Sequence, residues 1–201
     1  MIKQTKFDNE QDWLAGRRGK ITGTRAGSML SKRDNKPLKT FYEVIAERIA
    51  IPSDGENAID RGKRLEHEAI ERFEKETGKV VDKSLVLWTR EDEESIAVSP
   101  DGFIGDTEAV ECKCLNSASH IEALITGKIP SEYEYQVLQY FVVNDDLKTL
   151  YFIFYDPRMP RDYVCFTIER DSIAEKVATS LEEQREVLKK IKEIENQIIA
   201  F

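Results

Sequence analysis

The sequence predicts a mixed α/β fold, with a central mixed β-sheet flanked by helices and a long helix at the C-terminus. Apolar residues recur at helical spacing in the first third of the chain, and short Val- and Ile-rich runs alternate with turn residues between 79 and 170. No Gly or Pro occurs after Asp171. At 201 residues and 23.2 kDa the chain has the length of one domain. We therefore expect a single domain over 1–201, with a helical part (1–78), a β-rich core (79–170) and a C-terminal helix (171–200).

Three segments of the first part have the pattern of helices. Segment 23–31 begins after a Thr-Gly turn, and segment 38–50 carries one apolar stripe and ends before Pro52. Segment 58–77 carries a longer apolar stripe, and Gly78 follows it as a C-terminal stop. These features predict three helices before residue 78.

The pattern then changes to short strands separated by turn residues. The predicted strands are 79–89, 95–99, 102–105, 108–114, 148–155 and 162–169, with helices at about 117–127 and 131–143 between them. From Asp171 to the end, apolar residues at helical spacing predict one amphipathic helix. Either this helix packs only on its own domain, or part of its apolar stripe joins another subunit.

The charge of the chain is unevenly distributed. The net charge is −8, which by itself argues against a polyanionic partner. Residues 11–40, however, carry eight basic side chains and only two acidic ones (Arg17, Arg18, Lys20, Arg25, Lys32, Arg33, Lys36 and Lys39 against Asp12 and Asp34). This asymmetry suggests a basic face suited to phosphate on an otherwise acidic body, although a basic stretch alone is more often a solvated surface.

The composition also indicates in which cellular compartment the chain is expected. There is no run of 18 or more apolar residues and no apolar core of a secretion signal near the N-terminus, so we expect no membrane association. The three cysteines are odd in number, and Cys112 and Cys114 are only two residues apart. A disulfide framework is not expected, and a reducing cytoplasm is the default.

The most informative stretch is Ser-Pro-Asp-Gly at 99–102, followed by Glu111-Cys112-Lys113. A turn presents Asp101, the chain reverses, and the next strand carries Glu111 and Lys113 on one face, because residues two apart on a strand point to the same side. Cys112 then points to the other face, with its backbone carbonyl beside the cluster. Two carboxylates and a carbonyl form a hard oxygen site suited to Mg²⁺ or Mn²⁺, and a lysine can act on a water molecule there.

Other interpretations of these residues remain. A Glu-x-Lys tripeptide is common and can be a surface pair, so the preceding Ser-Pro-Asp-Gly turn is what favours a catalytic site. Glu66 on helix 58–77 can add to the metal shell, directly or through water, or be one exposed glutamate among several.

The cysteines and histidines do not predict a second metal site. Cys112 and Cys114 with His120 fit no structural zinc spacing that we trust, so we expect buried thiols. His67 points about 100° away from Glu66 on the helix, so we expect it to be a surface residue.

Several motifs carry a family resemblance. Asp101 followed by Glu111-x-Lys113 resembles the PD-(D/E)xK nuclease motif, and Gln136-x-x-x-Tyr140 is similar to a motif of RecB-type nucleases. Six blocks in the same order resemble the phage lambda exonuclease-like (YqaJ-type viral recombinase) family. They are WxxxRxGxIT from Trp13, GKxxE from Gly62, SPDG from Ser99, Gln136-Val137, YDPRM from Tyr155 and IERD from Ile168. Six blocks in order are specific, although each block alone is weak.

The resemblance implies a restriction-endonuclease-like core and a Mg²⁺-dependent exonuclease, with Mn²⁺ as an alternative and two ions at the site. Such an enzyme digests double-stranded DNA ends in the 5′-to-3′ direction, releases mononucleotides and leaves a 3′ single-stranded tail. It also implies a ring-shaped homotrimer around DNA, and a phage or prophage recombination system with a single-strand annealing protein. A sibling endonuclease or nickase, and a non-catalytic DNA-end-binding protein, are the alternatives.

The resemblance also assigns residue roles. Asp101, Glu111 and the Cys112 carbonyl would ligate metal, Glu66 would serve the second metal or its waters, and Lys113 would act on the attacking water. Arg17, with the hydroxyls of Thr24 and Ser99, would bind the 5′-phosphate of the DNA end. Tyr133 and Gln136 would line the site from the following helix.

Overall fold

The computed structural model describes residues 2–33, 35, 38, 40, 41, 44, 59–114, 120, 123, 124, 126–157 and 161–199. The helices predicted for 38–50 and 117–127 therefore lie largely outside the described residues. None of the described helices is both long enough and apolar enough to pass through a lipid bilayer.

The described chain contains five α-helices and seven strands. The helices are α1 (Glu10–Gly16), α2 (Gly23–Ala26), α3 (Ile59–Thr77), α4 (Glu134–Val143) and α5 (Ala174–Ile199). The strands are β1 (Ile2–Lys6), β2 (Val86–Arg90), β3 (Ala97–Val98), β4 (Gly102–Ile104), β5 (Glu108–Cys114), β6 (Thr149–Tyr155) and β7 (Tyr163–Glu169). Short 3₁₀ turns precede α4 (Ser131–Tyr133) and follow β7 (Arg170–Ser172).

The strands form two sheets. One is three-stranded and antiparallel in the order β1-β2-β3, and the other is four-stranded in the order β4-β5-β6-β7. In the larger sheet β4 and β5 form an antiparallel hairpin, β5 runs parallel to β6, and β6 is antiparallel to β7. The prediction of a mixed α/β fold with a mixed sheet and a long C-terminal helix is confirmed, with a second small sheet added to it.

Some element boundaries differ from the predicted ones. The strand predicted for 79–89 is regular only from Val86, because Val81 N–H donates to the Glu74 side chain and only an isolated bridge at Asp82 joins the preceding segment to β4. Helix 23–31 ends at Ala26, where Gly27 follows. The other strands and helices that were predicted within the described residues agree to within about three residues, which is the usual uncertainty of a helix or strand end.

Two elements were not predicted. Strand β1 has mostly exposed residues and forms because it pairs with β2 over five rungs, so its own sequence carries little signal. Helix α1 begins at an N-cap: the Asn9 side chain accepts a hydrogen bond from Asp12 N–H at 3.0 Å. An N-cap residue such as Asn9 can be recognised in a sequence, but a search for apolar periodicity does not detect it.

The larger sheet is covered on both faces. Val110 and Cys112 of β5 pack with Ala69 and Phe73 of α3, whereas Ala109 belongs to the larger cluster that contains α4. Helix α5 packs on α4 through a buried stripe that includes Val177, Leu188 and Ile191. The alternation of side chains along β5 therefore places its odd-numbered residues under α4, which decides where Glu111 and Lys113 point.

A buried amide network fixes α4 relative to its neighbours. The Gln139 amide donates to the carbonyls of Ile21 (2.9 Å) and Ala97 (3.1 Å), and its oxygen accepts from Gln184 of α5 at 2.7 Å. Arg170 donates to the carbonyls of Phe141 and Asn144 at the C-terminal end of α4. Buried polar groups stabilise one arrangement when their hydrogen bonds are made, so α4 is held in a defined register over the sheet.

Candidate active site

The β4–β5 hairpin brings Asp101 next to Glu111. Gly102 pairs with Val110, so Asp101, one residue before β4, lies across from Glu111 at the next position of the register. Cys112 N–H donates to the Asp101 Oδ2 atom at 2.7 Å, which fixes the carboxylate at the end of the hairpin. The turn predicted from Ser-Pro-Asp-Gly thus places the two carboxylates side by side.

Glu111 is only 3% exposed, and three side chains donate to its carboxylate. Lys113 Nζ and Gln136 Nε2 both donate to Oε1, and the Tyr140 hydroxyl donates to Oε2. A buried carboxylate is costly unless it is paired and hydrogen-bonded, and these donors supply both conditions. They come from β5 and α4, so the packing of α4 on the sheet completes the environment of Glu111.

Lys113 lies on the same face as Glu111 and is directed into the site. Burial alone would lower the pKa of Lys113, but the Glu111 and Asp101 carboxylates outweigh it and raise the pKa. The ammonium lies 5.7 Å from the ring centroid of Tyr133 and 5.9 Å from that of Phe152, so aromatic rings border it. Lys113 is therefore a charged donor within the cluster.

The cysteines lie on the opposite face. Cys112 is buried with α3, and burial raises the pKa of its thiol, as it raises the pKa of the Cys114 thiol to about 12. His120 Nε2 lies 2.7 Å from the Arg161 carbonyl, in a separate hydrogen bond. Within the described ranges, no three His, Cys, Asp or Glu side chains already converge as a metal-binding group.

The acidic groups around Asp101 fit a divalent cation. Burial raises the pKa of Asp101 well above its ordinary value, and the negative charges of Glu111 and Glu66 raise it further. Lys113 and Cys112 N–H only partly offset this. The charge of Glu66 of α3 therefore acts on the same carboxylate as the charge of Glu111 does. Carboxylate oxygens are the ligands that Mg²⁺ and Mn²⁺ prefer, so the neighbouring Asp101 and Glu111 carboxylates fit such an ion.

Arg17 lies close to this negative charge, just after α1. Burial lowers the pKa of Arg17, while the charges of Glu111 and Asp101 act in the opposite direction. Its guanidinium carbon lies 4.6 Å from the ring centroid of Trp13, and the guanidinium forms no hydrogen bond or ion pair with any side chain that the structure describes. A desolvated guanidinium without a protein acceptor is suited to an anionic ligand.

The two hydroxyls predicted to join Arg17 have different surroundings. Thr24 Oγ1 lies 3.4 Å from Thr22 Oγ1. Ser99 Oγ is buried and has no hydrogen-bond partner in the described chain. The described contacts do not connect Arg17 directly to Thr24 or Ser99.

A cleft of about 500 Å³ opens beside Lys113. Its walls include the predicted site residues Thr24, Tyr133 and Gln136. The N-terminus of α2 approaches α4 closely here: a Cβ on Gly23 would lie 3.0 Å from the Gln136 side chain and 3.2 Å from its Cα atom. Glycine at this position thus allows Thr24 to line the same cleft as Gln136.

Tyr140 is the residue of the site to which the sequence analysis gave no role. It is fully buried, and burial together with Glu111 raises its pKa well above the ordinary value, so the phenol stays a donor. Its position four residues after Gln136 places both on one helix face, which was the available signal. What the sequence did not show is that this face meets Glu111.

Comparisons with known proteins identify the family of the chain. A family model described as the YqaJ-like viral recombinase domain matches residues 12–146. The solved structures similar to the chain include an alkaline exonuclease, LHK-Exo, from Laribacter hongkongensis, at 29% identity and with a TM-score of 0.76, covering 95% of this chain and 99% of that one. LHK-Exo in complex with dAMP matches at 30% identity with the same coverage and TM-score.

A phage-related exonuclease from Haemophilus somnus 129PT matches at 16% identity, with a TM-score of 0.60 over 90% of this chain and 95% of that one, which supports the fold alone. No curated protein matches the chain. The family match spans Asp101, Glu111 and Lys113, and it confirms the resemblance inferred from the six sequence blocks. The chain belongs to the YqaJ-like viral recombinase domain family.

Proposed function

We propose that this protein is a metal-dependent 5′-to-3′ exonuclease of double-stranded DNA that releases mononucleotides and leaves a 3′ single-stranded tail for recombination. The observation that carries the proposal is the cluster of Asp101, Glu111 and Lys113 at the end of one hairpin, in a chain of this family. The structural similarity to LHK-Exo, described as an alkaline exonuclease, supports the same activity.

In this proposal the carboxylates hold the metal. Asp101, Glu111 and the Cys112 carbonyl would bind Mg²⁺, with Mn²⁺ as an alternative, and Glu66 would serve a second ion or its waters. When bound, the metal supplies positive charge against the phosphate undergoing hydrolysis. Gln136 and Tyr140 orient the Glu111 carboxylate, because each donates a hydrogen bond to it.

Lys113 then acts on the attacking water. Because its carboxylate neighbours keep Lys113 charged, it positions the water as a hydrogen-bond donor and offsets charge as the oxygen adds to phosphorus. The attacking water loses a proton to solvent, the bond between phosphorus and the 3′-oxygen of the terminal nucleotide breaks, and that oxygen takes up a proton from solvent. The products are a mononucleotide and a strand shortened by one residue. Tyr133 borders the site beside Lys113.

A terminal phosphate pocket would give the direction of digestion. Arg17, Thr24 and Ser99 would bind the 5′-phosphate, and this role is supported by the Arg17 guanidinium and the Ser99 hydroxyl, which have no hydrogen-bond partner among the described residues. We further propose a homotrimer that encloses DNA, a single-strand annealing protein as the partner, and action in the cytoplasm of a bacterial host that carries the phage or prophage. The basic residues between 11 and 40 would then face DNA while acidic residues face solvent.

Digestion of a linear duplex that carries separate labels at its 5′ and 3′ ends tests the proposal. With Mg²⁺, we expect early release of the 5′ label as mononucleotide, retention of the 3′ label on a long strand, and no cleavage of covalently closed circles. Nicking of closed circles would instead identify an endonuclease. End binding without hydrolysis would identify a scaffold and contradict the proposed activity.

A further inference from the structure

The cleft beside Lys113 is also lined by a second cation, that of Lys32. Lys32 and Lys113 line it together with hydroxyl-bearing residues that include Ser28 and Ser131. Glu132 is the single acidic side chain among the described lining residues. Cations and neutral hydroxyl donors along one groove are suited to a phosphate-bearing strand.

Lys32 is held in place by Tyr135. Its ammonium lies 4.8 Å from the centroid of the Tyr135 ring, and the ring lies against the backbone of Gly27. A Cβ on Gly27 would come within 2.3 Å of the Tyr135 ring, so only glycine leaves room for the ring at this position. The ring lies between Gly27 and Lys32, and it presents a cation to the cleft rather than a bare surface for stacking a base.

The carboxylates near Lys32 form no ion pair with it in the part of the chain that the structure describes. Lys32 is exposed, it forms no ion pair with another residue that the structure describes, and the hydrogen bond that its ammonium donates to the Tyr135 hydroxyl oxygen raises its pKa. Of the two carboxylates whose charges act on Lys32, Glu134 is already paired with Lys176 at 2.7 Å, and Glu183 raises the Lys32 pKa only through its charge. The charge of Lys32 is thus available to a ligand in the cleft.

We propose that Lys32, seated on Tyr135, binds a DNA phosphate adjacent to the scissile one, so that the cleft holds one strand at two phosphates. The inference rests on the proposed function, because it takes Lys113 as the position of the reacting phosphate. Lys32 is in this account a substrate-binding residue, and it makes no contact with the reacting atoms.

The test pairs a protein variant with a substrate change. Binding of short DNA is measured with Ca²⁺ in place of Mg²⁺, while one linkage at a time is replaced by a neutral methylphosphonate. When the methylphosphonate replaces one linkage next to the scissile one, we expect the affinity of the wild-type protein for DNA to fall about threefold to fivefold. The affinity of Lys32→Gln should be the same for this substrate as for unmodified DNA, because the variant lacks the cation that contacts this linkage. Lys32→Arg should restore the wild-type response. Lys3→Gln, which removes an exposed cation paired with Glu94, is the matched control and should behave as wild type.

The salt dependence of binding gives a second readout. For Lys32→Gln the slope of log affinity against log salt should be smaller by about 0.7 to 0.9, the value for one phosphate contact. An unchanged slope together with equal responses of both proteins at every linkage would overturn the inference. A wild-type protein that digests no DNA with Mg²⁺ would instead contradict the proposed function, so the two failures are distinguishable.

Discussion

The substitution Tyr140→Phe removes one of the three donors to Glu111 and keeps the ring. The hydroxyl and the carboxylate are both buried, at 0% and 3% exposure, so water does not replace the lost hydrogen bond. A hydrogen bond to a charged group contributes about 1.5–3 kcal/mol, and we therefore expect the free energy of unfolding to fall by about 2 kcal/mol. For a chain of this length that corresponds to a melting temperature lower by about 4–8 °C.

The assay is urea unfolding with a matched variant. Tyr155 also donates to a carboxylate, that of Glu68, but at 3.3 Å and with the Glu68 side chain 33% exposed. Tyr155→Phe should change the free energy of unfolding by no more than about 0.5 kcal/mol, because water can replace its donor. The reasoning would be refuted if Tyr140→Phe cost no more than Tyr155→Phe.

A double-mutant cycle separates the hydrogen bond from ring packing. In a Glu111→Gln background the carboxylate charge is absent, so Tyr140→Phe should cost less than it costs in the wild type. We also expect kcat to fall in Tyr140→Phe, since the carboxylate loses one of its orienting contacts. Equal costs in the two backgrounds would show that the phenol stabilises the fold without acting on Glu111.

Three further substitutions test other parts of the account. Lys113→Ala should abolish digestion and spare binding of DNA ends by gel shift; unchanged turnover would remove Lys113 from the mechanism. Arg17→Ala should slow digestion of 5′-phosphorylated ends most, and equal losses on 5′-hydroxyl ends would count against a phosphate pocket. Lys83 and a backbone N–H hold the pKa of Glu74 below its ordinary value of 4.5. The contribution of the Glu74 carboxylate to the free energy of unfolding is therefore present above pH 4.5 and is lost as the pH falls through the lowered pKa. Glu74→Gln should lower the free energy of unfolding by about 0.5–1 kcal/mol at pH 7, and this difference should shrink below pH 4.5. A difference that persists at low pH would contradict the role of the charge.

The parts of the site that depend on local chain geometry were predictable from the sequence. Alternation along 108–114 predicts both the strand and the shared face of Glu111 and Lys113. The Ser-Pro-Asp-Gly turn, with a short return strand, places Asp101 opposite Glu111. Both arrangements involve residues within about a dozen positions of one another. At that separation, strand periodicity and the residues of the turn determine which side chains come together.

Contacts between distant elements were not predictable in the same way. The Tyr140 hydroxyl meets Glu111 only because α4 packs on the sheet in one register, and Tyr135 meets Lys32 across more than one hundred residues of chain. Strand β1 likewise depends on its partner β2 for its conformation. Such pairings follow from tertiary packing, which single-sequence periodicity does not encode.

The most direct test of the central claim is the position of a bound ion. In a crystal soaked with Mn²⁺, the anomalous signal should lie between Asp101 and Glu111, within about 2.5 Å of an oxygen of each carboxylate. The same crystal form of Asp101→Asn should lack that signal. An ion located elsewhere in the wild type, or one that persists at the same place in Asp101→Asn, would contradict the account of this hairpin as the metal-binding centre of a nuclease.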